Sequence, residues 1–339
     1  MNCEALPRVL LLSLGGTIAM QPGAGAGVVP RLSGESLVAS VPAIGEVAQV
    51  EARSFRQLPG AHLGFDDMEA LADAIREAAD RGVHGVVVTQ GTDTIEETAF
   101  VLDRLLHLQI PVVVTGAMRN PTVPGADGPA NLLTSIQVAA SPEARGLGCV
   151  VVFNDEVHSA RFVRKMHTSS VGTFASPNAG PLGWLVEGRL RIALRAPAMA
   201  ALDAVDVPPR IARVALATVA LGDDGSALKA LRECGAFDGL VVEAVGGGHV
   251  PPGVAHEIEQ AAKSIPVVLA TRTSAGETLA NTYGFEGGEI DLQRRGAIRS
   301  GWLDGVKARL LLTLLLRRGV KTQEQVNQAF APWGGGEIV

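Results

Sequence analysis

A chain of 339 residues, 47% hydrophobic and only 19% charged, has enough apolar material for two cores. Its 29 Lys and Arg against 35 Asp and Glu leave a net charge of −6 with no block of like charge, which excludes a broad basic surface for nucleic acid and points to small-molecule work. Cys3, Cys149 and Cys234 lie far apart with no CxxC, which argues against a disulfide framework or a zinc site and fits a reducing, cytoplasmic compartment.

The opening stretch MNCEALPRVLLLSLGG carries an apolar run with no basic segment before it and no small-residue cleavage site after it. It reads as a first strand over residues 9–14 and not as a signal peptide. Apolar runs at residues 83–89, 111–115, 149–153, 214–219, 239–245 and 266–270 lack polar alternation, the mark of strands covered on both faces. In DDMEALADAIREAADRG the apolar positions Met68, Leu71, Ala72, Ile75, Ala78 and Ala79 recur at three and four, so a helix is expected, with Asp66 or Asp67 as N-cap and Gly82 as its stop. In IEETAFVLDRLLH, Thr94 and Glu97 have capping-box spacing, and Glu96 and Glu97 suit the first turn. The run 310–316, in ARLLLTLLLRRG, falls far short of the ~20 residues that span a bilayer, so no membrane segment is expected.

Strand, helix, strand in that order predicts parallel pairing and an open α/β sheet, with ligands at the C-terminal ends of its strands. Residues 188–213, charge-rich and holding Pro197, Pro208 and Pro209, interrupt the alternation. The expected organisation is therefore a larger N-terminal domain over 1–195 with a mostly parallel sheet flanked by helices, a linker over 196–213, and a smaller C-terminal α/β domain over 214–339.

Four strand exits carry glycine. LLLSLGGTIAM ends in Gly15, Gly16 and Thr17; VVVTQGTDT in Gly91, Thr92 and Asp93; VVVTGAMRNP in Gly116, Ala117, Met118 and Arg119; VVEAVGGGH in three glycines and His249. Glycine lets a backbone approach a ligand and expose its N–H groups to an oxyanion or carboxylate. LGGT lacks the third glycine of GxGxxG, which weakens a dinucleotide reading. Capping accounts for Thr94 and the glutamates but leaves Thr92 and Asp93 unassigned. A threonine hydroxyl needs a base, and a lysine serves as one only where burial or a nearby cation favours its neutral form. Of the five lysines, Lys229, Lys263 and Lys307 fall in helical patterns that read as solvated faces, while Lys165 lies in the irregular, hydroxyl-rich stretch ARFVRKMHTSS and is the candidate base.

The whole pattern resembles the bacterial-type L-asparaginases of the asparaginase/glutaminase family. LGGTIA looks like that family's first threonine signature and QGTDTIEETA like its second, followed in order by PVVVTGAMR, ADGPANL, FNDEV, VRKMHTSSVGTF and GPLG. The resemblance implies hydrolysis of the side-chain amide of asparagine, in some members glutamine, to the acid and ammonia, with no metal and no cofactor. Thr17 matches the primary nucleophile; Thr92, Asp93 and Lys165 match a second threonine, an aspartate that holds the substrate α-amino group, and the lysine of a hydrogen-bonded triad. Gly91 flanks the Thr92 N–H that would serve an oxyanion, and Ala117 matches a position whose backbone contacts the substrate amide. A homodimer or homotetramer is implied, with the second domain reaching a neighbouring subunit's site.

Three stretches depart from that pattern. The lid MQPGAGAGVVPRL has no tyrosine, and a residue near Gly27 stands opposite the family's lid tyrosine. PGAHLGFDDM replaces the segment whose serine grips the substrate α-carboxylate, so that Gly60 or Ala61 stands for the hydroxyl, and a backbone N–H or His62 takes over. GGGH leaves His249 where the family has an asparagine. Tyr283, Glu277, Arg272 and His249 are the candidates to supply the missing groups, Tyr283 and Glu277 first. Alternative readings are an amidohydrolase of a related small amide (glutamine, D-asparagine or another β-amide) and a non-catalytic amino-acid-binding homologue.

Overall fold

The structure is a computed structural model that describes residues 5–22, 28–30, 32–197, 199–202, 210–320 and 322–335; for 21–22 and 28–30 only the backbone is described. Its contacts divide the chain into two units, Met1–Leu202 and Asp203–Val339. Gly27, opposite the lid tyrosine, lies outside the described residues, as do Cys3 and residues 203–209 of the expected linker.

In the first unit, β1 (Arg8–Ser13), the short hairpin β2 (Met20–Pro22) and β3 (Val28–Pro30), α1 (Gly34–Ala39), β4 (Gln49–Ser54), α2 (Phe65–Asp80), β5 (Gly85–Thr89), α3 (Ile95–Leu105), β6 (Val112–Thr115), α4 (Gly128–Ala140) and β7 (Cys149–Phe153) follow one another. Strands β8 (Glu156–Ser159), β9 (Arg164–Lys165), β10 (Phe174–Ala175), β11 (Gly183–Val186) and β12 (Arg189–Ile192) complete it. The eight-stranded sheet has the order β12-β11-β8-β7-β6-β5-β1-β4. From β4 to β7 every pair is parallel, and β8, β11 and β12 extend the sheet antiparallel. Each of the four expected strands of this unit is present.

The apolar runs became central strands because both faces are covered: every residue of β5, β6 and β7 is buried. Each buried valine there contributes roughly 1.5–3 kcal/mol of transfer free energy. β4 has no such run; its exposed, alternating pattern fits an edge strand, and the sequence reading passed over it. The stretch expected to begin the interruption at residue 188 opens with β12, the other edge, reached by a two-residue turn in which Glu187 and Gly188 both have positive φ.

Helix α2 starts and stops by different means from one another. Its N-cap is Gly64, not Asp66 or Asp67; Asp67 sits at the third helical position and its carboxylate accepts from Gly64 N at 3.1 Å. Its end is as expected: Gly82 takes φ +76°, and the Gly82 and Val83 amides donate back to the Ala79 and Ala78 carbonyls.

The parallel strands run in the order second, first, third, fourth, fifth along the chain, so the connection after β1 runs to one side, the next crosses to the other, and the switch falls between β1 and β5. In open α/β sheets ligands bind outside the carboxyl ends of the strands at such a point.

Beyond the sheet, Asp103, buried on α3, accepts from Arg104, Arg161 and the Cys149 amide. The two arginines reach on to the carbonyls of Ala200 and Pro197, and Leu202 N donates to Arg104 O, so these residues of the expected linker are bonded to the first unit.

The second unit holds β13 (Val214–Thr218), α5 (Ser226–Glu233), β14 (Gly239–Ala244), α6 (Pro252–Ala262), β15 (Val267–Thr271), α7 (Glu289–Arg294), β16 (Ile298–Arg299), α8 (Gly305–Arg317) and α9 (Gln323–Phe330). Its four strands are all parallel in sequence order. The leucine run expected to be too short for a membrane lies in α8, packed on β13, β14 and β15, and no helix among the described residues is long and apolar enough to cross a membrane. Lys307 on α8 corrects the solvated-face reading: its side chain is 2% exposed, and Nζ reaches back 3.0 Å to the N-cap carboxylate of Asp304.

Candidate active site

Parallel register places three of the four glycine-bearing exits side by side. Ser13 pairs with Thr89 and Thr89 with Thr115, so Thr17, Thr92 and Ala117 follow aligned strand ends by four, three and two residues. The β1 and β5 loops then meet backbone to backbone. Gly16 has φ +83°, and a β-carbon placed on it would lie 2.0 Å from Gly91 N. Gly60 also packs on Gly91: a β-carbon on Gly60 would be 3.1 Å from Gly91 O. The glycines thus bring the segment after β1, the turn before α2 and the exit of β5 into one cluster at the switch point.

Thr17 opens a short 3-10 turn, Thr17–Ala19. Its neighbours Ile18 and Ala19 are buried, and Ile18 packs against Gly128 at the start of α4, which fixes the turn. Thr17 itself is half-buried, and its hydroxyl makes no hydrogen bond among the described residues. Thr92 is different: it begins the 3-10 turn Thr92–Thr94, is buried, and its Oγ1 is 3.0 Å from Lys165 Nζ. The same Nζ is 2.8 Å from Asp93 Oδ1. The Asp93 side chain is 70% exposed, so its second oxygen faces solvent and can accept from a cationic ligand.

Lys165 lies on β9, whose pairing with β10 sets Lys165 opposite Phe174. The irregular segment expected around it is therefore a hairpin, closed by Met166 N to Thr173 O at 2.7 Å and by His167 N to Thr173 Oγ1 at 3.0 Å.

Thr94 stands at the N-cap of α3, but its side chain does not cap the helix. Its φ of −123° and ψ of 20° leave no side-chain cap bond; instead its hydroxyl donates to Gly60 O at 3.1 Å and accepts from Gln90 Nε2 at 3.2 Å. The side chain ties the turn Gly60–His62 to the β5 exit, where the sequence reading expected a capping box. In that turn Gly60 is buried, whereas Ala61 and His62 are exposed.

Ala117 is fully buried, and the chain beyond it is held by residues that sequence reasoning quoted without a role. Asp127 accepts from Met118 N at 2.9 Å and Arg119 N at 2.8 Å. Asn131 donates to Gly116 O at 3.1 Å and accepts from Asn154 N at 3.0 Å, clamping the exits of β6 and β7 together. The only sequence signal was their place in ADGPANL. Glu96 was likewise read only as a first-turn acid, yet its Oε2 accepts from Lys165 N at 2.6 Å.

The remaining candidates lie in the second unit. His249 stacks edge-on against Tyr283 and Phe285 with ring centroids 4.9 and 5.2 Å away, and its Nε2 is 3.1 Å from Glu289 Oε2. Glu289, which the sequence reading did not single out, is buried; its Oε1 accepts from the Thr282 and Tyr283 amides at 2.7 and 2.6 Å. Burial opposes its charge, but those amides and His249 outweigh burial and hold its carboxyl below the usual range. Glu277 does not join this cluster; it lies against Gly334 near Arg299. Arg272 donates to Val219 O at 3.1 Å.

The first unit thus presents a hydroxyl with no hydrogen bond among the described residues, a second hydroxyl bonded to a lysine Nζ, and an accessible carboxylate, set among glycine-flanked strand exits. Those are the parts of a nucleophilic acyl-transfer site.

Two family models match the chain: "Asparaginase, N-terminal" over residues 8–198 and "Glutaminase/Asparaginase C-terminal domain" over residues 213–330. The chain is similar to a probable L-asparaginase of Deinococcus radiodurans, 38% identical over 333 residues that cover 96% of this chain and 98% of that one. It is also similar to a probable periplasmic L-asparaginase of Haemophilus influenzae, 33% identical over 97% of this chain and 94% of that one. Among solved structures, a probable cytoplasmic L-asparaginase of Campylobacter jejuni superposes with a TM-score of 0.86 at 29% identity, covering 96% of this chain and 99% of that one.

Proposed function

The chain belongs to the asparaginase family, and we propose the following roles in its hydrolysis of the L-asparagine side-chain amide to L-aspartate and ammonia. Thr17 is the nucleophile, and Thr92, Asp93 and Lys165 are the group that binds substrate and moves protons. The observation that carries this division is the contrast between the two hydroxyls: Thr17 Oγ1 is half-buried and makes no hydrogen bond among the described residues, while Thr92 Oγ1 is buried and bonded to Lys165 Nζ.

In this reading Thr17 Oγ1 attacks the amide carbon as its proton passes to Thr92 Oγ1 and the Thr92 proton to Lys165 Nζ, which serves as base in its neutral amine form. The Thr92 N–H, at the start of a turn that feeds a helix, faces the developing oxyanion. Collapse of the tetrahedral species with a proton delivered to nitrogen expels ammonia and leaves an ester on Thr17, and water then releases aspartate. Asp93 holds the substrate ammonium with the carboxylate oxygen that Lys165 leaves exposed. Gly60, Ala61 and His62 line the α-carboxylate end, and Ala117 meets the amide.

The test is ammonia release from L-asparagine by the purified protein, with quenched enzyme examined by mass spectrometry for an ester on Thr17. Turnover no higher than that of a Thr92→Ala variant would sink the reading. One observation favours a related substrate: the exposed Ala61 brings no hydroxyl to the turn that faces Gly91. A panel of L-asparagine, D-asparagine, L-glutamine and simple β-amides separates the two.

The same reading takes the working form as a homodimer or homotetramer in which His249, Glu277 and Tyr283 serve a neighbouring copy. Its support is the aromatic group on the second unit, where Tyr283 and Phe285 leave their rings about half exposed beside His249. Light scattering of wild type and Tyr283→Ala tests it. The compartment is taken as cytoplasmic, as in the name of the Campylobacter relative, and cell fractionation decides between that and the periplasm named for the Haemophilus relative.

A further inference from the structure

We propose that Glu96 is the positioning residue of the lysine, setting the place of the Lys165 ammonium through the Lys165 main chain. This deepens the proposed function and rests on the assignment of Lys165 to the reaction.

The geometry is a closed circuit. Thr92 and Asp93 form the turn that runs straight into α3, and Glu96 stands on the first turn of that helix. Lys165 is 69 to 73 residues away in sequence, on another hairpin. Its Nζ is held by Thr92 Oγ1 at 3.0 Å and Asp93 Oδ1 at 2.8 Å, and its backbone N–H is held by Glu96 Oε2 at 2.6 Å. One short piece of chain, Thr92 to Glu96, thus grips the lysine at both ends.

Both grips are needed for physical reasons. A lysine side chain has four rotatable bonds and about 2 kcal/mol of rotamer entropy, so contacts at Nζ alone do not fix where its α-carbon lies. The strand that carries it cannot fix it either: β9 and β10 are two residues each, and a hairpin so short is marginal without support. The Lys165 amide is not spent on that hairpin, whose closing bonds come from Met166 and His167. A carboxylate accepting from a backbone N–H makes a charge-assisted bond, about twice as strong as a neutral one. Glu96 therefore anchors the hairpin to the same helix start that presents Thr92, and the Thr92–Lys165 distance becomes a property of one rigid element.

The experiment compares Glu96→Ala, Glu96→Gln and Lys165→Met in L-asparagine hydrolysis, with kcat, KM, the pH profile and the thermal midpoint measured for each. Glutamine keeps an oxygen that accepts the Lys165 amide, and alanine does not. The expected result is a fall in kcat of about 10–100-fold for Glu96→Ala, the size of a roughly 1 Å misplacement of a catalytic group. Its KM stays within about threefold, and Glu96→Gln recovers most of the rate with an unchanged pH profile. Should the alanine variant not fold, Glu96→Met, equal in length but without an acceptor, takes its place.

Normal kcat in the variant without an acceptor overturns the proposal. So does an equal loss in Glu96→Gln with a displaced pH profile, which would mean that Glu96 acts by its charge. An active Lys165→Met variant is a separate failure, since it removes Lys165 from the reaction and with it the reading on which the proposal rests.

Discussion

Gly16 and Gly91 come so close that a β-carbon on Gly16 would lie 2.0 Å from the Gly91 nitrogen, nearer than any non-bonded contact allows. That approach is what makes two distant threonine signatures one site, because each glycine sits immediately before its threonine. A side chain at Gly16 would push the β1 and β5 exits apart.

Gly16→Ala is therefore expected to abolish turnover and to destabilise the first unit by roughly 2–4 kcal/mol, combining a clash with a backbone at φ +83°. Gly45→Ala is the control, since nothing lies within 4 Å of its added carbon. Urea unfolding and ammonia release measure both effects. An active, stable Gly16→Ala would show that the two loops do not need this contact.

Lys165→Met is expected to lower kcat by about 10²–10⁴-fold with a smaller change in KM, the range for losing a positioned proton-transfer group. Only 17% of the lysine side chain is exposed, and methionine matches its stem, so unfolding curves should overlay wild type closely. A pH–rate profile unchanged in shape would assign the base elsewhere.

Asp127→Ala should damage the site from outside it. The carboxylate holds the Met118 and Arg119 amides beyond Ala117, and its loss leaves both donors without that acceptor, at a cost of about 1–3 kcal/mol. The expected signature is a raised KM together with a lower melting temperature. A KM equal to wild type would mean that the turn after β6 does not contact substrate.

Acid should weaken the first unit before it protonates the carboxylates. His158 is fully buried on β8, with Nδ1 3.1 Å from Ser176 Oγ and Nε2 3.2 Å from Glu156 Oε2. Burial pushes its imidazole below the ordinary 6.5, against the opposing pull of Glu156. The unfolded chain then takes up a proton below about pH 6.5 while the folded chain does not, so stability falls as pH drops from there toward the lowered folded value. Urea midpoints measured across that window should slope for wild type and lie flat for His158→Gln; parallel slopes would exonerate the histidine.

Much of this was legible because it is local. Uninterrupted valine runs such as Val86 to Val88 can only be buried strands, and glycine followed by Thr92 and Asp93 is a turn with chemistry on it whatever surrounds it. The failures were also local inferences. Thr94 had the spacing of a helix cap and stands at the N-cap, but in the folded chain its hydroxyl oxygen accepts from Gln90 Nε2 and its proton goes to Gly60 O. Lys307 had the spacing of a surface residue, and only the packing of α8 on the second sheet shows it buried.

The amino-acid sequence by itself determined the element types, the parallel α/β sheets and the short set of residues able to attack an amide, since hydrophobic period, glycine and functional-group chemistry are properties of neighbouring residues. Tertiary structure alone decided who holds whom. Parallel register set Ser13, Thr89 and Thr115 abreast, the Gly16–Gly91 contact joined the exits of β1 and β5, and Glu96 took the amide of a lysine 69 residues away. A hydrogen bond of that span depends on where the sheet delivers its loops, which no window of sequence contains.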